Sequence, residues 1–184
     1  MKPSRGTLLA TLLGVALIAS AAPLKTDPAK STVSAVFKQM NVPVEAKFKK
    51  FSAQIDYDAA KPDLARANVE IETASLDIGD PDMNQEVAKK EWFNSAQFPK
   101  ASFVSSAIKS AGPGKLSVSG KLTIKGKVSE VSFPLTVKAE AGKQVFEGAL
   151  PIKRLAYSIG EGEWRDTSMV ADDVVIKFRV TAGL

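Results

Sequence analysis

The chain has no cysteine and no histidine among its 184 residues. Without cysteine there can be no disulfide and no thiol-attached lipid anchor, so the fold must be held by its core even in an oxidising compartment. Without histidine as well, serine–histidine and cysteine–histidine nucleophile pairs, most zinc sites and imidazole-held haem are excluded. No glycine-rich loop matches a nucleotide or dinucleotide pattern. No internal repeat and no βαβ rhythm is visible. Beyond the first two dozen residues, no apolar run approaches the roughly 20 residues that a membrane-spanning helix needs. Most enzyme classes are thereby disfavoured.

What is present is an ordinary globular balance, 45% hydrophobic and 24% charged, with enough chain for one domain with a core. The N-terminus stands apart. Lys2 and Arg5 precede a largely apolar run from Leu8 to Ile18, and Ala19-Ser20-Ala21 offers small residues for cleavage. Residues 1–21 are expected to be a secretory signal peptide, leaving a soluble domain over 22–184 exported to the periplasm. Without that segment 23 basic residues face 20 acidic ones, a net charge of +3. So mild an excess suits transient contact with an anionic membrane surface or a membrane enzyme, though a plain soluble surface is the simpler account.

The clearest pattern runs from Lys115 to Ala139. Leu116, Val118, Leu122 and Ile124 alternate with polar residues; after Gly126-Lys127 the alternation resumes through Val131, Phe133, Leu135 and Val137. Two half-buried strands forming a hairpin follow. Gly120 falls in the inward series, where a missing side chain gives a bend or room for a close approach. Upstream, Val33–Met40 reads as a strand. Val42, Val44, Ala46 and Phe48 share one phase, and the phase flips to Phe51, Ala53, Ile55 and Tyr57 after Lys50, predicting a long strand with a bulge or corner. Leu64–Leu76 reads as one strand. Asp80-Pro81-Asp82 opens the one convincing helix, with Met83, Val87 and Trp92 near one face, a plug or lid. Strands around Phe103–Lys109, Val145–Ile152, Arg154–Ile159 and Val174–Val180 complete about eight, an all-β barrel or sandwich.

Three groups invite a functional reading. The loop Gly160–Asp166 gathers Glu161, Glu163 and Asp166, which could serve acid–base chemistry or a hard cation; a solvated loop with Trp164 tucked against the body explains it as well. Lys47, Lys49, Lys50, Lys121, Lys125 and Lys127 could meet nucleic acid, but no aromatics interleave with them, so solvated strand faces are preferred and no nucleic-acid partner is expected. The inward phenylalanines Phe37, Phe48, Phe51, Phe103, Phe133, Phe146 and Phe178, with Ile55, Leu122, Ile124 and Leu135, would either fill a barrel or line an apolar cavity in it. The small inward residues Ala46, Ala53 and Gly120 favour a partly filled interior.

Several segments, in order, resemble the YceI-like family of exported bacterial proteins. They are Asp27-Pro28-Ala29-Lys30-Ser31, Phe48 to Asp58, Glu91-Trp92-Phe93-Asn94 with Phe98-Pro99, Gly120 to Gly126, and Ile152-Lys153-Arg154-Leu155-Ala156-Tyr157. The resemblance implies an extended eight-stranded antiparallel β-barrel, lipocalin-like, with one short helix, holding a polyisoprenoid chain such as a prenyl phosphate or quinone tail. It implies a non-catalytic carrier with an isoprenoid or quinone ligand and no other cofactor, and it is compatible with a homodimer. The family's common histidines in the first strands are replaced here, at Lys30 and Gln39. Arg154 matches the family's arginine before the tyrosine-containing strand and, with Trp164, would contact a polar head group; alternatively, Arg154 satisfies strand-end carbonyls. Competing readings are a structural or stress-related interaction protein with a solid barrel, and an atypical enzyme using Glu161, Glu163, Asp166 or Arg154.

Overall fold

The alternation of apolar and polar residues becomes strand almost throughout. The computed structural model describes residues 23–183, so the signal-peptide assignment lies outside the described residues. The strands are β1 (Lys25–Thr26), β2 (Thr32–Gln39), β3 (Val42–Phe48), β4 (Phe51–Asp56), β5 (Arg66–Glu72), β6 (Leu76–Asp77), β7 (Lys100–Ser110), β8 (Lys115–Ile124), β9 (Lys127–Glu140), β10 (Lys143–Lys153) and β11 (Val170–Gly183); the helix is α1 (Pro81–Ala88). They pair antiparallel in the order β4-β5-β7-β8-β9-β10-β11-β2-β3-β6, and β1 pairs with the end of β11. β4, at one end of this order, and β3, next to β6 at the other, are one length of chain turned at Lys49–Lys50. Leu24 N also donates to Ile55 O at 2.8 Å, tying the N-terminal strand to β4. The sheet therefore curls back on itself as a lipocalin-like barrel.

Eleven strands stand where about eight are expected. The 3-10 turn Pro28–Lys30 splits β1 from β2, the corner splits β3 from β4, and β6 is a two-residue addition to β3; merging these leaves eight in the wall. The corner carries the predicted change of phase: Ala46 and Phe48 are buried before it, Ala53 and Ile55 after it. Three hairpins turn on two residues with positive φ, Met40–Asn41, Lys125–Gly126 and Ala141–Gly142, the arrangement whose twist matches that of paired strands.

Two expected strands are corrected. Leu64–Leu76 is broken by the 3-10 turn Thr73–Ser75. Thr73 is 1% exposed, its N donates to Pro99 O at 2.9 Å, and its Oγ1 lies 2.9 Å from Phe98 O and 3.0 Å from Ser95 Oγ. A buried hydroxyl whose acceptors come from the distant segment 95–98 outweighs the β propensity of a threonine. Arg154–Ile159 is not a strand either: Arg154–Tyr157 forms a 3-10 turn that ends at Ser158 with φ 55°.

Two inward glycines are filled by neighbouring rings. A Cβ on Gly120 would meet Val104 O at 2.3 Å and the Phe103 ring at 2.7 Å; one on Gly148 would meet the Phe178 ring at 2.4 Å. β7 bulges between Ser105 and Ala107, opposite Gly120, which brings its backbone close. Backbone cannot retreat as a ring can. Gly120→Ala should therefore destabilise by about 2–4 kcal/mol and Gly148→Ala by about 1–2 kcal/mol; urea unfolding midpoints of the two variants check the order.

Candidate ligand-binding cavity

Inside the curled sheet lies a cavity of about 220 Å³. Strands contribute through alternation: Val33, Ala35 and Phe37 from β2, Leu116, Val118, Leu122 and Ile124 from β8, Val174, Ile176, Phe178 and Val180 from β11. Apart from tyrosine and tryptophan, its polar lining residues are Gln39, Glu86, Ser102 and Arg154. Phe103, Phe133 and Phe178 touch in sequence, with ring centroids 5.5 and 5.6 Å apart. Because the outer two rings cover Gly120 and Gly148, this aromatic band lies along the wall of β7 to β11 instead of crossing the interior.

Of the residues proposed as apolar lining, Phe37, Phe48, Ile55, Phe103, Leu122, Ile124, Phe133, Leu135, Phe146 and Phe178 all face the cavity. Phe51 does not. It sits just after the corner and lines a separate lateral groove with Lys47, Lys49, Lys50 and Lys100. Val33, Phe48 and Ile71 belong to both groove and cavity, so these side chains form the wall between the two. Tyr57 continues the Phe51-Ala53-Ile55 phase and packs edge-on against Phe146 at 5.4 Å, so phase alone was enough to find it. Phe93 and Ile159 lie in connections, where no periodicity points inward.

One end is covered by α1 with the segment after it, and by the β10–β11 connection. Asp80 caps α1, its Oδ1 accepting from Asp82 N and Met83 N at 2.9 and 3.1 Å. Met83 and Val87 reach the cavity from the helix, while Trp92 does so from the turn beyond it. The two covering segments interlock, Gly160 N and Glu161 N both donating to Glu91 O at 2.8 Å.

Arg154 organises this cover. It is 2% exposed. Nε donates to Ala171 O at 3.1 Å, Nη1 to Ile159 O at 2.8 Å and Gly160 O at 3.1 Å, and Nη2 to Trp164 O at 2.6 Å and Val170 O at 2.8 Å. All five N–H groups of a guanidinium are thus engaged by backbone carbonyls. Burial lowers its pKa from the ordinary value, with Asp172 opposing. Cζ also sits 5.7 Å from the centroid of the Trp92 ring, which in turn lies 5.3 Å from Trp164. Arg154 and Trp164 both line the cavity, but no guanidinium donor is left free for the polar head group that the resemblance implies.

Lys125 is a correction. Instead of standing on a solvated strand face, its side chain is 7% exposed, and Nζ donates to Lys90 O at 2.7 Å, Ser158 O at 2.8 Å and Glu161 Oε2 at 3.0 Å. The remaining carboxylates of the acidic loop do not converge: Asp166 accepts from Ser168 N at 2.9 Å, and Glu163 is exposed. Among the described residues no group of three acidic side chains could hold a metal ion.

The profile of the YceI-like domain matches residues 24–182. The chain belongs to the YceI-like family. A UPF0312 protein of Shewanella sp. (strain W3-18-1) is 34% identical over 141 residues, covering 73% of this chain and 72% of that protein. Among solved structures, Burkholderia cenocepacia BcnA is 54% identical, with a TM-score of 0.84 over 86% of this chain and 99% of that one. A polyisoprenoid binding domain from Saccharophagus degradans superposes with a TM-score of 0.69 over 90% of this YceI-like chain and 99% of its own, at 18% identity, a likeness of fold.

Two outcomes follow from the cover. Arg154→Met would leave five carbonyls without their donor and should cost about 3–5 kcal/mol, and Arg154→Lys, with three donors, should recover only part of it; urea unfolding measures both. The Lys125 hydrogen bond holds the Glu161 carboxyl below its ordinary 4.5. A carboxyl whose folded pKa is depressed stabilises fully above its unfolded value and loses that contribution as pH falls through the folded one. Protection factors of the amides in the segment 154–169, taken against the intrinsic exchange rate at each pH, should therefore fall below about pH 4.5, and Glu161→Gln should flatten that dependence.

Proposed function

We propose that this YceI-like protein is a periplasmic carrier that holds a long-chain isoprenoid lipid, of the prenyl phosphate or quinone type, in its apolar interior and performs no catalytic step. The observation that carries this reading is the cavity itself: a continuous apolar lining from eight wall strands, with its largest inward rings laid along the wall. A dry apolar cavity of about 150 Å³ already admits a benzene-sized guest. Each methylene moved from water into such a lining contributes about 0.8 kcal/mol, so affinity grows with chain length and depends little on chain identity. The shared fold of the polyisoprenoid binding domain from Saccharophagus degradans supports the ligand class. The N-terminal leader pattern supports export, and no helix among the described residues is long and apolar enough to cross a membrane.

The alternative of a solid barrel has the cavity against it. The alternative of a carboxylate enzyme has its residues dispersed, with Glu161 paired to Lys125 and Arg154 bound to carbonyls. Organic extraction of protein purified from its native host, followed by mass spectrometry, should release an isoprenoid lipid in near-stoichiometric amount. Ala35→Trp, at a half-buried position on the lining, should lower that yield more than tenfold while leaving the far-ultraviolet circular dichroism unchanged. An empty extract from unmodified protein, under conditions where a known lipid carrier keeps its cargo, contradicts the reading.

A further inference from the structure

The strand pairing that closes the barrel has a gap. On one margin β2 pairs with β3 only as far as Ser34 and Lys47. On the other, β1 meets β4 through Leu24 N to Ile55 O at 2.8 Å and Thr26 Oγ1 to Ala53 O at 2.7 Å. Between these joints, among the described residues, no backbone hydrogen bond crosses from Thr32–Val33 to Phe51–Ser52. The lateral groove, about 540 Å³ in volume, lies over this gap, with Thr32 and Val33 on one side of it and Phe51 and Ser52 on the other. Val33, Phe48 and Ile71 line both the groove and the cavity, so three apolar side chains stand between the two.

We propose that this groove is the door of the cavity: an isoprenoid chain enters and leaves sideways, between β2 and β4, when Val33, Phe48 and Ile71 turn aside. This rests on the carrier reading. Passage through the covered end would break the bonds of Gly160 N and Glu161 N to Glu91 O and disturb those of Arg154 and Lys125, and buried polar groups left unpaired are costly. At the other end β1 is held by Asp27 N to Thr181 O at 2.8 Å as well as by its bonds to β4. Apolar side chains, by contrast, change rotamer without breaking a hydrogen bond. The mouth of the groove carries no strong lock either. Lys49, Lys50 and Lys100 pair there with Asp77, Glu72 and Glu70 as exposed cations, and such surface pairs contribute little.

The test follows association and release of all-trans-retinol, a fluorescent isoprenoid alcohol, by stopped flow. Because the chain has no cysteine, Thr32→Cys combined with Ser52→Cys gives a unique thiol pair, at exposed positions that line the groove and not the cavity. A bismethanethiosulfonate reagent bridges the pair across the door, and dithiothreitol releases it. A barrier on the way in is the same barrier on the way out, so the bridge should slow association and release equally, by about tenfold or more, and leave Kd within about twofold. Dithiothreitol should restore both rates. Ser52→Trp, which crowds the groove from its outer side, should slow both rates in the same way without any bridge. Retinol rates unchanged in both the bridged protein and Ser52→Trp overturn the door while leaving the carrier reading intact. So does faster or slower release matched by an equal change in Kd with association unaltered. Failure of the unmodified protein to bind retinol overturns the carrier reading and this inference with it.

Discussion

In a curled sheet every second residue points to the axis, so whether the barrel is hollow depends on where its largest inward side chains lie. In this chain the answer is set by two missing side chains. Gly120 on β8 and Gly148 on β10 each receive a ring from the adjoining strand, Phe103 and Phe178, with Phe133 between them. Edge-to-face contact among the rings gives the band internal cohesion, and contact with backbone replaces contact across the lumen. A side chain at either glycine would force a ring toward the axis. Aromatic content is thus compatible with an open interior, although by composition alone it suggests a filled one.

The two ends of the barrel are built differently. Along the wall, charges stand outside in exposed pairs such as Lys100–Glu70 at 2.7 Å and Lys138–Glu147 at 3.4 Å, each contributing little. At the covered end two cations are buried and used structurally. Arg154 and Lys125 reach backbone carbonyls from the β10–β11 connection and the β8–β9 turn, so the cover is held by donors matched to acceptors more than by apolar packing. Lys125 adopts φ 48° at its turn, a conformation unfavourable for a residue with a Cβ. Its three hydrogen bonds explain why a lysine occupies that place.

Much of the wall was legible in the sequence because alternation has only one structural meaning when a sheet has a dry face. The β8–β9 hairpin, the flip of phase at Lys50 and the capped helix at Asp80 all follow from local pattern. Ten of the eleven residues expected on the apolar lining face the cavity by the same rule, and Phe51 does not because the corner turns it to the lateral groove. Alternation is silent about the cover. Thr73 and Arg154 look like strand residues, and only acceptors outside their own stretches, in the segment 95–99 for Thr73 and between 159 and 171 for Arg154, accompany their conversion into 3-10 turns. Lys125 looks like any turn lysine until Lys90, Ser158 and Glu161 are placed around it.

A hollow interior also bears on stability. Side chains that face empty space lose the dispersion contacts that a packed core supplies, and no disulfide can offset the loss in a chain without cysteine. A ligand that occupies the axis restores those contacts and binds only the folded state, so it raises stability by RT ln(1 + [L]/Kd). The wall then needs only enough rigidity to stay open when empty, which the aromatic band and the polar cover supply from opposite directions. The longer an apolar occupant of the axis, the more of that contact it restores.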